Sequence, residues 1–176
     1  MTDIRKRVEE DRGILKTIQT FVPGFRGYRL KEDLRDSDRM LRSQLAKLLG
    51  RQRRGLEDCR AMVVQSFNSP QLDVIGGLIN RFKTVEGVVQ HAATGYSGIA
   101  ADVRVKENEL NRLYEYDTSL IDNIGIISRS VESLKISLKA NDDAQSKADL
   151  ADITNAIVEF EDKFDRRMRV ITNTEV

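Results

Sequence analysis

From Leu110 to Leu138 apolar side chains return at alternating intervals of three and four residues. The series runs Leu110, Leu113, Leu120, Ile124, Ile127, Val131, Leu134 and Leu138, with Asp117 as its one polar interruption. An α-helix brings such positions to one side because about 3.6 residues complete a turn, and a stripe that long needs another helix against it. The chain supplies one. Leu150, Ile153, Ile157, Phe160 and Phe164 keep the same spacing before Met168 and Ile171 shift it. The segment between, residues 139–146, is polar and short. Asn141 suits the end of one helix, and Asp142, Asp143 or Ser146 the start of the next. The two stripes therefore predict an antiparallel, coiled-coil-like hairpin.

Upstream, Leu72, Ile75, Ile79, Phe82, Val85 and Val89 share a face, with Ser69 placed as N-cap and Pro70 at the first helical position. Gly76, Gly77 and Gly87 weaken this helix and imply close approach to a neighbour. Leu34, Leu41, Leu45, Leu48, Leu56, Cys59 and Val63 mark a long helix between Leu30 and Phe67, which Gly50 and Gly55 are placed to bend. Residues 3–20, with Ile4, Val8, Leu15 and Ile18, add a first helix. The expectation is one domain over residues 1–176: an all-α, elongated antiparallel bundle of four or five helices with a coiled-coil-like C-terminal hairpin.

Composition agrees with that architecture. Content of 40% hydrophobic and 32% charged residues, with two prolines and no tryptophan, suits amphipathic helices and argues against extended disorder. Apolar runs are only a few residues long, far short of the roughly 20 that cross a bilayer. The lone Cys59 has no disulfide partner and no apolar leader is visible, which predicts an intracellular, cytoplasmic setting. The net charge of +1 hides an asymmetry: the first 60 residues hold 16 basic against 10 acidic residues, and residues 139–176 hold 6 against 9. The two ends can neutralise each other within the fold or face different partners.

Catalytic chemistry finds little to stand on. A di-iron bundle needs paired Glu-x-x-His motifs, and His91 is the only histidine. Of the carboxylates Glu107, Glu109, Glu115, Asp117 and Asp122, helical geometry puts Glu115 and Asp122 on one face and separates Glu107 from Glu109. Asp117 alone points into the apolar seam, where it calls for a Lys or Arg partner or a turn toward solvent. Cys59 reads as a small packed hydrophobe. There is no G-x-x-x-x-G-K-[ST] phosphate loop, and Gly24-Phe-Arg-Gly27 lacks the strand-turn-helix setting of a dinucleotide site. The sequence predicts no enzyme, no cofactor, no metal site and no small-molecule substrate.

Two connections differ from solvated linkers. Phe21-Val-Pro-Gly-Phe-Arg-Gly-Tyr-Arg29 and Thr94-Gly-Tyr-Ser-Gly98 combine glycines with aromatics, and up-down alternation places both at one end of the bundle. Phe25, Arg26, Tyr28 and Tyr96 are accordingly the candidate partner-binding residues, since aromatics and arginine are enriched at binding hot spots. The competing role for these aromatics is to plug the bundle end. Arg51, Arg53 and Arg54, supported by Arg42, Lys47 and Arg60, are the candidate anion-binding group, set against a solvated face or pairing with acidic neighbours.

The stretch Pro23-Gly-Phe-Arg-Gly-Tyr-Arg-Leu-Lys-Glu-Asp-Leu-Arg-Asp-Ser-Asp-Arg-Met-Leu-Arg42 resembles a segment of small helical proteins of unassigned function in archaea and bacteria. Tyr96-Ser-Gly98 with Lys106-Glu-Asn-Glu-Leu-Asn-Arg-Leu-Tyr-Glu-Tyr-Asp117 is similar to a second block of that family. The resemblance covers about a fifth of the chain. It implies a helical fold in which both loops matter, and no enzyme class or ligand. The leading expectation is a non-enzymatic interaction or scaffold module that self-associates or joins a larger assembly. The alternative is a binder of nucleic acid or a membrane surface through the basic second helix.

Overall fold

A computed structural model describes residues 2–27, 31–66, 69–92 and 107–172. Five helices follow in order: α1 Thr2–Phe21, α2 Lys31–Ser66, α3 Ser69–His91, α4 Glu107–Lys139 and α5 Asp143–Thr172. The all-α bundle expected from the apolar spacing is the architecture observed. The stripes account for it residue by residue. Leu113, Leu120, Ile127 and Leu134 of α4 are fully buried, as are Ile153, Ile157 and Phe160 of α5. The same core takes in Leu41, Leu45 and Leu56 of α2 and Ile75 and Phe82 of α3.

The α4–α5 turn follows the chemistry of its residues. Asn141 adopts a left-handed φ of 54°, and the Asp142 amide returns to the Ser137 carbonyl at 2.9 Å. Asp142 then caps α5 by accepting from the Gln145 amide at 3.0 Å. Just inside the turn, buried Asp149 accepts hydrogen bonds from the Ser133 and Ser137 hydroxyls, both at 2.8 Å, and from Gln145 at 2.9 Å. A carboxylate satisfied by neutral donors fixes the stagger of the two helices at this end.

Neighbours in sequence run antiparallel, but the two hairpins pair in parallel. Gly55 of α2 lies against Val131 of α4, and Asp58 pairs with Lys135 at 3.3 Å, so residue numbers rise together along both helices. Likewise Gln71 of α3 donates to Asp143 of α5, and Arg81 pairs with Glu161. The α1 helix packs on α4.

Glycine has roles here that differ from those expected. Helix α2 runs continuously through Gly50 and Gly55. A β-carbon at Gly55 would stand 2.8 Å from Val131 Cγ1, and one at Gly50 would meet the Glu86 carboxylate at 2.8 Å, so these are the positions of close approach. Gly76, Gly77 and Gly87, expected to sit against a neighbour, have nothing within 4 Å of a β-carbon. They leave the outer side of α3 smooth instead.

Three substitutions test this packing. Ile127→Asp buries a carboxylate in the seam and lowers unfolding free energy by several kcal/mol in a denaturant titration. Gly55→Ala lowers it by about 1–3 kcal/mol through the Val131 contact. Gly77→Ala raises it by about 0.5–1 kcal/mol, because a helical residue gains a side chain where there is room.

Candidate functional site

The first aromatic loop is a closure. Gly24 and Gly27 take positive φ of 86° and 91°, and their missing side chains admit Met40 Cε and the Tyr114 hydroxyl. The Phe25 carbonyl accepts from Gln19 at 3.2 Å and the Gly27 carbonyl from Ser37 at 3.0 Å. Phe25 is only 3% exposed and meets Tyr114 edge-on with ring centroids 6.5 Å apart. It therefore plugs the bundle end rather than offering itself to a partner, which corrects its assignment as a binding residue. Arg26 is exposed. Tyr28, Tyr96 and the connection at residues 94–98 lie outside the described residues.

Beneath this closure lies a group of four buried charges. Arg167 of α5 is fully buried and donates from Nε to Asp117 Oδ1 of α4 and from Nη1 to Asp38 Oδ1 of α2 at 2.7 Å. The other oxygen of Asp38 accepts from Arg42 Nε at 2.8 Å. Arg42 continues to the Ala92 carbonyl at 2.7 Å, where α3 ends and its unsatisfied carbonyls face a cation. Two arginines and two aspartates thus balance, and they join α2, α3, α4 and α5. Asp117 finds the basic partner its seam position calls for, whereas Asp38 and Arg167 were not singled out from sequence. The signal was present for Arg167: it stands three residues after Phe164 and four before Ile171, in the phase of the α5 stripe.

The three arginines of the candidate anion-binding group separate in the fold. Arg53 pairs with Glu57 at 2.6 Å and Glu86 at 3.1 Å, and the Glu86 hydrogen bond holds its guanidinium more firmly protonated than usual. Arg51 and Arg54 are exposed and make no ion pair among the described residues. They extend a ridge on α2 with Arg39 and Lys47, also exposed, that is roughly 22 Å long at 1.5 Å per residue. Arg51 and Arg54 border a groove against α4 that also contains Ser128, Lys135, Asp58 and Glu132, so the cations there have acidic company.

A different surface opens between α3 and α5, which touch far less than the helices within each hairpin. Thr84, Val88, Phe164, Asp165 and Met168 line a groove of about 170 Å³ there. That is below the roughly 300–1,000 Å³ of small-molecule pockets. Val88 in its wall is 55% exposed, and elsewhere on the same two helices Val74 is 47% exposed and Val158 43%. Gly77, Ala144, Ala148 and Ala151 are exposed as well. The Arg81–Glu161 pair, with Nε to Oε2 at 2.9 Å, crosses the middle.

Residues with catalytic potential are dispersed. Glu115, Asp122 and His91 are exposed, while Asp117 is engaged by Arg167. Among the described residues no three of His, Cys, Asp and Glu converge on a metal position. Cys59 is fully buried, and burial pushes its thiol from 9.0 up to about 11, against a smaller opposing pull from Lys135.

Arg167→Met removes the cation shared by two buried carboxylates, leaving Asp38 only Arg42 among its ion pairs, and lowers stability by about 3–5 kcal/mol, whereas Arg81→Gln, at an exposed pair, stays within about 1 kcal/mol. Parallel denaturant titrations compare them. Cys59 stays a neutral thiol in the folded chain. Its stabilising contribution is complete below pH 9.0 and is lost as pH rises through about 11. A disulfide reagent at pH 8 therefore labels the unfolded chain promptly and the native chain only at its rate of opening.

Comparison with known proteins gives no match to this chain among family models, curated proteins or solved structures.

Proposed function

We propose that this chain is a non-enzymatic helical interaction module, a cytoplasmic part of a homo- or hetero-oligomeric assembly that docks through the α3/α5 face. The observation that carries this reading is the set of small and apolar side chains along that face, Val74, Val88 and Val158 foremost. Exposed valines occurring singly need no explanation, but valine, alanine and glycine aligned on two adjacent helices form a surface another helix can approach closely. The buried charges support a scaffold role. They hold the helices at fixed spacing, as a surface read by a partner requires. The reduced, buried Cys59 is consistent with the cytoplasm, and among the described residues no helix is long and apolar enough to cross a membrane.

The native particle should be heavier than the 20.0 kDa chain when source-cell extract is fractionated under non-denaturing conditions. Its mass should resist salt, since apolar burial is not screened. Val88→Glu with Ala151→Glu should release a folded chain from it. Release of the wild type by moderate salt instead would favour the α2 ridge. That second reading, a binder of nucleic acid or an anionic membrane surface, rests on Arg39, Lys47, Arg51 and Arg54 standing exposed without ion pairs among the described residues. Converting Arg51, Arg53 and Arg54 to glutamine should leave the protein folded, with losses of about 1 kcal/mol or less per pair removed. Binding of duplex DNA or anionic vesicles by the wild type but not by this variant would establish the second reading.

A further inference from the structure

We infer that the exposed ridge of α2 is a docking line for double-stranded DNA, held through its phosphates. The inference rests on the second reading above, commits it to one ligand and leaves the α3/α5 face to its own partner. Between Ser37 and Leu56 the exposed positions of α2 are Arg39, Ser43, Lys47, Arg51 and Arg54, four cations and a hydroxyl with no acid among them. Steps of four, four, four and three residues keep them in one row along the helix. A merely solvated face mixes both signs, as α5 does where Asp162 pairs with Arg166 and Asp165 with Arg169. The row on α2 does not.

The neighbouring helices leave this row open. On the α3 side Glu86 lies over Gly50 and pairs with Arg53, and one turn to either side of it Lys83 and Gln90 are exposed. Gly87 beside them has nothing within 4 Å of a β-carbon, so that flank is low. On the α4 side Asp58 is tied to Lys135, while Glu132 borders Arg51 and Arg54 and offsets part of their charge. Asp36 before the row and Glu57 after it are exposed acids that set its two ends.

The shape of the row selects among polyanions. A bilayer is a plane, and one laid on α2 would reach past the row to Asp36 and Glu57. No large apolar side chain is exposed between Ser37 and Leu56 to enter it. Single strands are gripped by stacking bases on aromatics, and the row has none. A DNA duplex carries about one phosphate charge per 1.7 Å of its axis. Arg39 and Lys47 are eight residues apart, about 12 Å along the helix, which is about the width of the major groove of B-form DNA. Arg39 then meets phosphates on one rim, Lys47, Arg51 and Arg54 meet those on the other, and Ser43 stands between. The deep, narrow major groove of an RNA duplex does not offer that span.

The test uses the full-length chain and a labelled DNA duplex of about 20 base pairs, followed by fluorescence anisotropy from about 50 to 200 mM salt. Four phosphate contacts give a slope of log affinity on log salt of about −3 to −4, a loss of roughly a hundredfold over that range. Arg39→Gln and Lys47→Gln, one on each rim, should each make the slope shallower by about 0.9 with helicity and melting temperature unchanged. Glu132→Gln should tighten binding severalfold. An RNA duplex of the same sequence should bind about tenfold more weakly or worse, and vesicles of equal parts phosphatidylserine and phosphatidylcholine should not bind.

No binding of the DNA duplex at the lowest salt overturns the inference. If the vesicles bind instead, the second reading stands on a membrane surface, and if neither binds, that reading fails as well. Duplex binding with a slope unmoved by Arg39→Gln and Lys47→Gln overturns the ridge as its site. Equal affinity for the RNA duplex overturns the choice of DNA.

Discussion

Arg167 is a fully buried cation that meets a carboxylate from each of two other helices, and the positions of α2, α4 and α5 follow from satisfying it. A guanidinium taken out of water loses several kcal/mol of hydration, which only close, well-directed partners offset. Asp117 supplies one from α4 and Asp38 another from α2, and Asp38 in turn needs Arg42. An apolar seam tolerates a shift by one heptad with modest loss. A buried charge set does not, because every shifted alignment leaves at least one charge unpaired. The parallel pairing of α2 with α4, which no stripe specifies, is thereby tied to one register. Arg42 carries the same constraint to the end of α3 by filling the place of a C-terminal cap at Ala92.

The apolar spacing was sufficient to read the α4–α5 hairpin, and its polar turn to place Asn141, while the cap stayed open among Asp142, Asp143 and Ser146 until the structure gave it to Asp142. Spacing defines which side of a helix is buried and says little about what lies opposite. Asp117 was legible as a charge in need of a partner because it interrupted a stripe. Arg167 occupied the matching place on α5 but ended the clear part of its own stripe, so it looked like the edge of the helix rather than its core. Asp38 and Arg42 stood in a stretch crowded with charges, where nothing in the sequence sets two apart from the rest. The glycines make the same point from the other side. Any helical glycine permits close approach, but only the arrangement of neighbours shows that Gly55 uses this freedom and Gly77 does not.

Functional residues were legible only in part for a related reason. Phe25 belonged to a glycine-rich segment whose composition fits a binding loop and a plug equally well, and its choice depended on Tyr114, nearly ninety residues away in the chain. The run from Arg51 to Arg54 looked like one basic cluster. Successive helical residues diverge by about 100°, so Arg53 turns toward Glu86 on α3 while Arg51 and Arg54 remain on the outer ridge. Clusters in sequence are therefore dispersed by the helix, whereas residues seven apart are gathered by it.

That gathering explains why the exposed apolar face lies where it does. The two hairpins are drawn together on the α2/α4 side, where Gly55 admits Val131 and Arg167 bridges to Asp38. Wedge-like closeness on one side of a four-helix arrangement leaves the other side wider, and α3 and α5 accordingly meet chiefly through Gln71–Asp143, Arg81–Glu161 and the walls of the groove. A helix pair opened in this way cannot bury its outer flanks within its own chain. Val74, Val88 and Val158 remain in water although apolar positions elsewhere on the same helices are fully buried. Larger side chains there would have added more exposed apolar area to an isolated chain. Valine, alanine and glycine limit that area, so the face is tolerated in water, and they leave room for the close approach of a helix that the proposed assembly calls for.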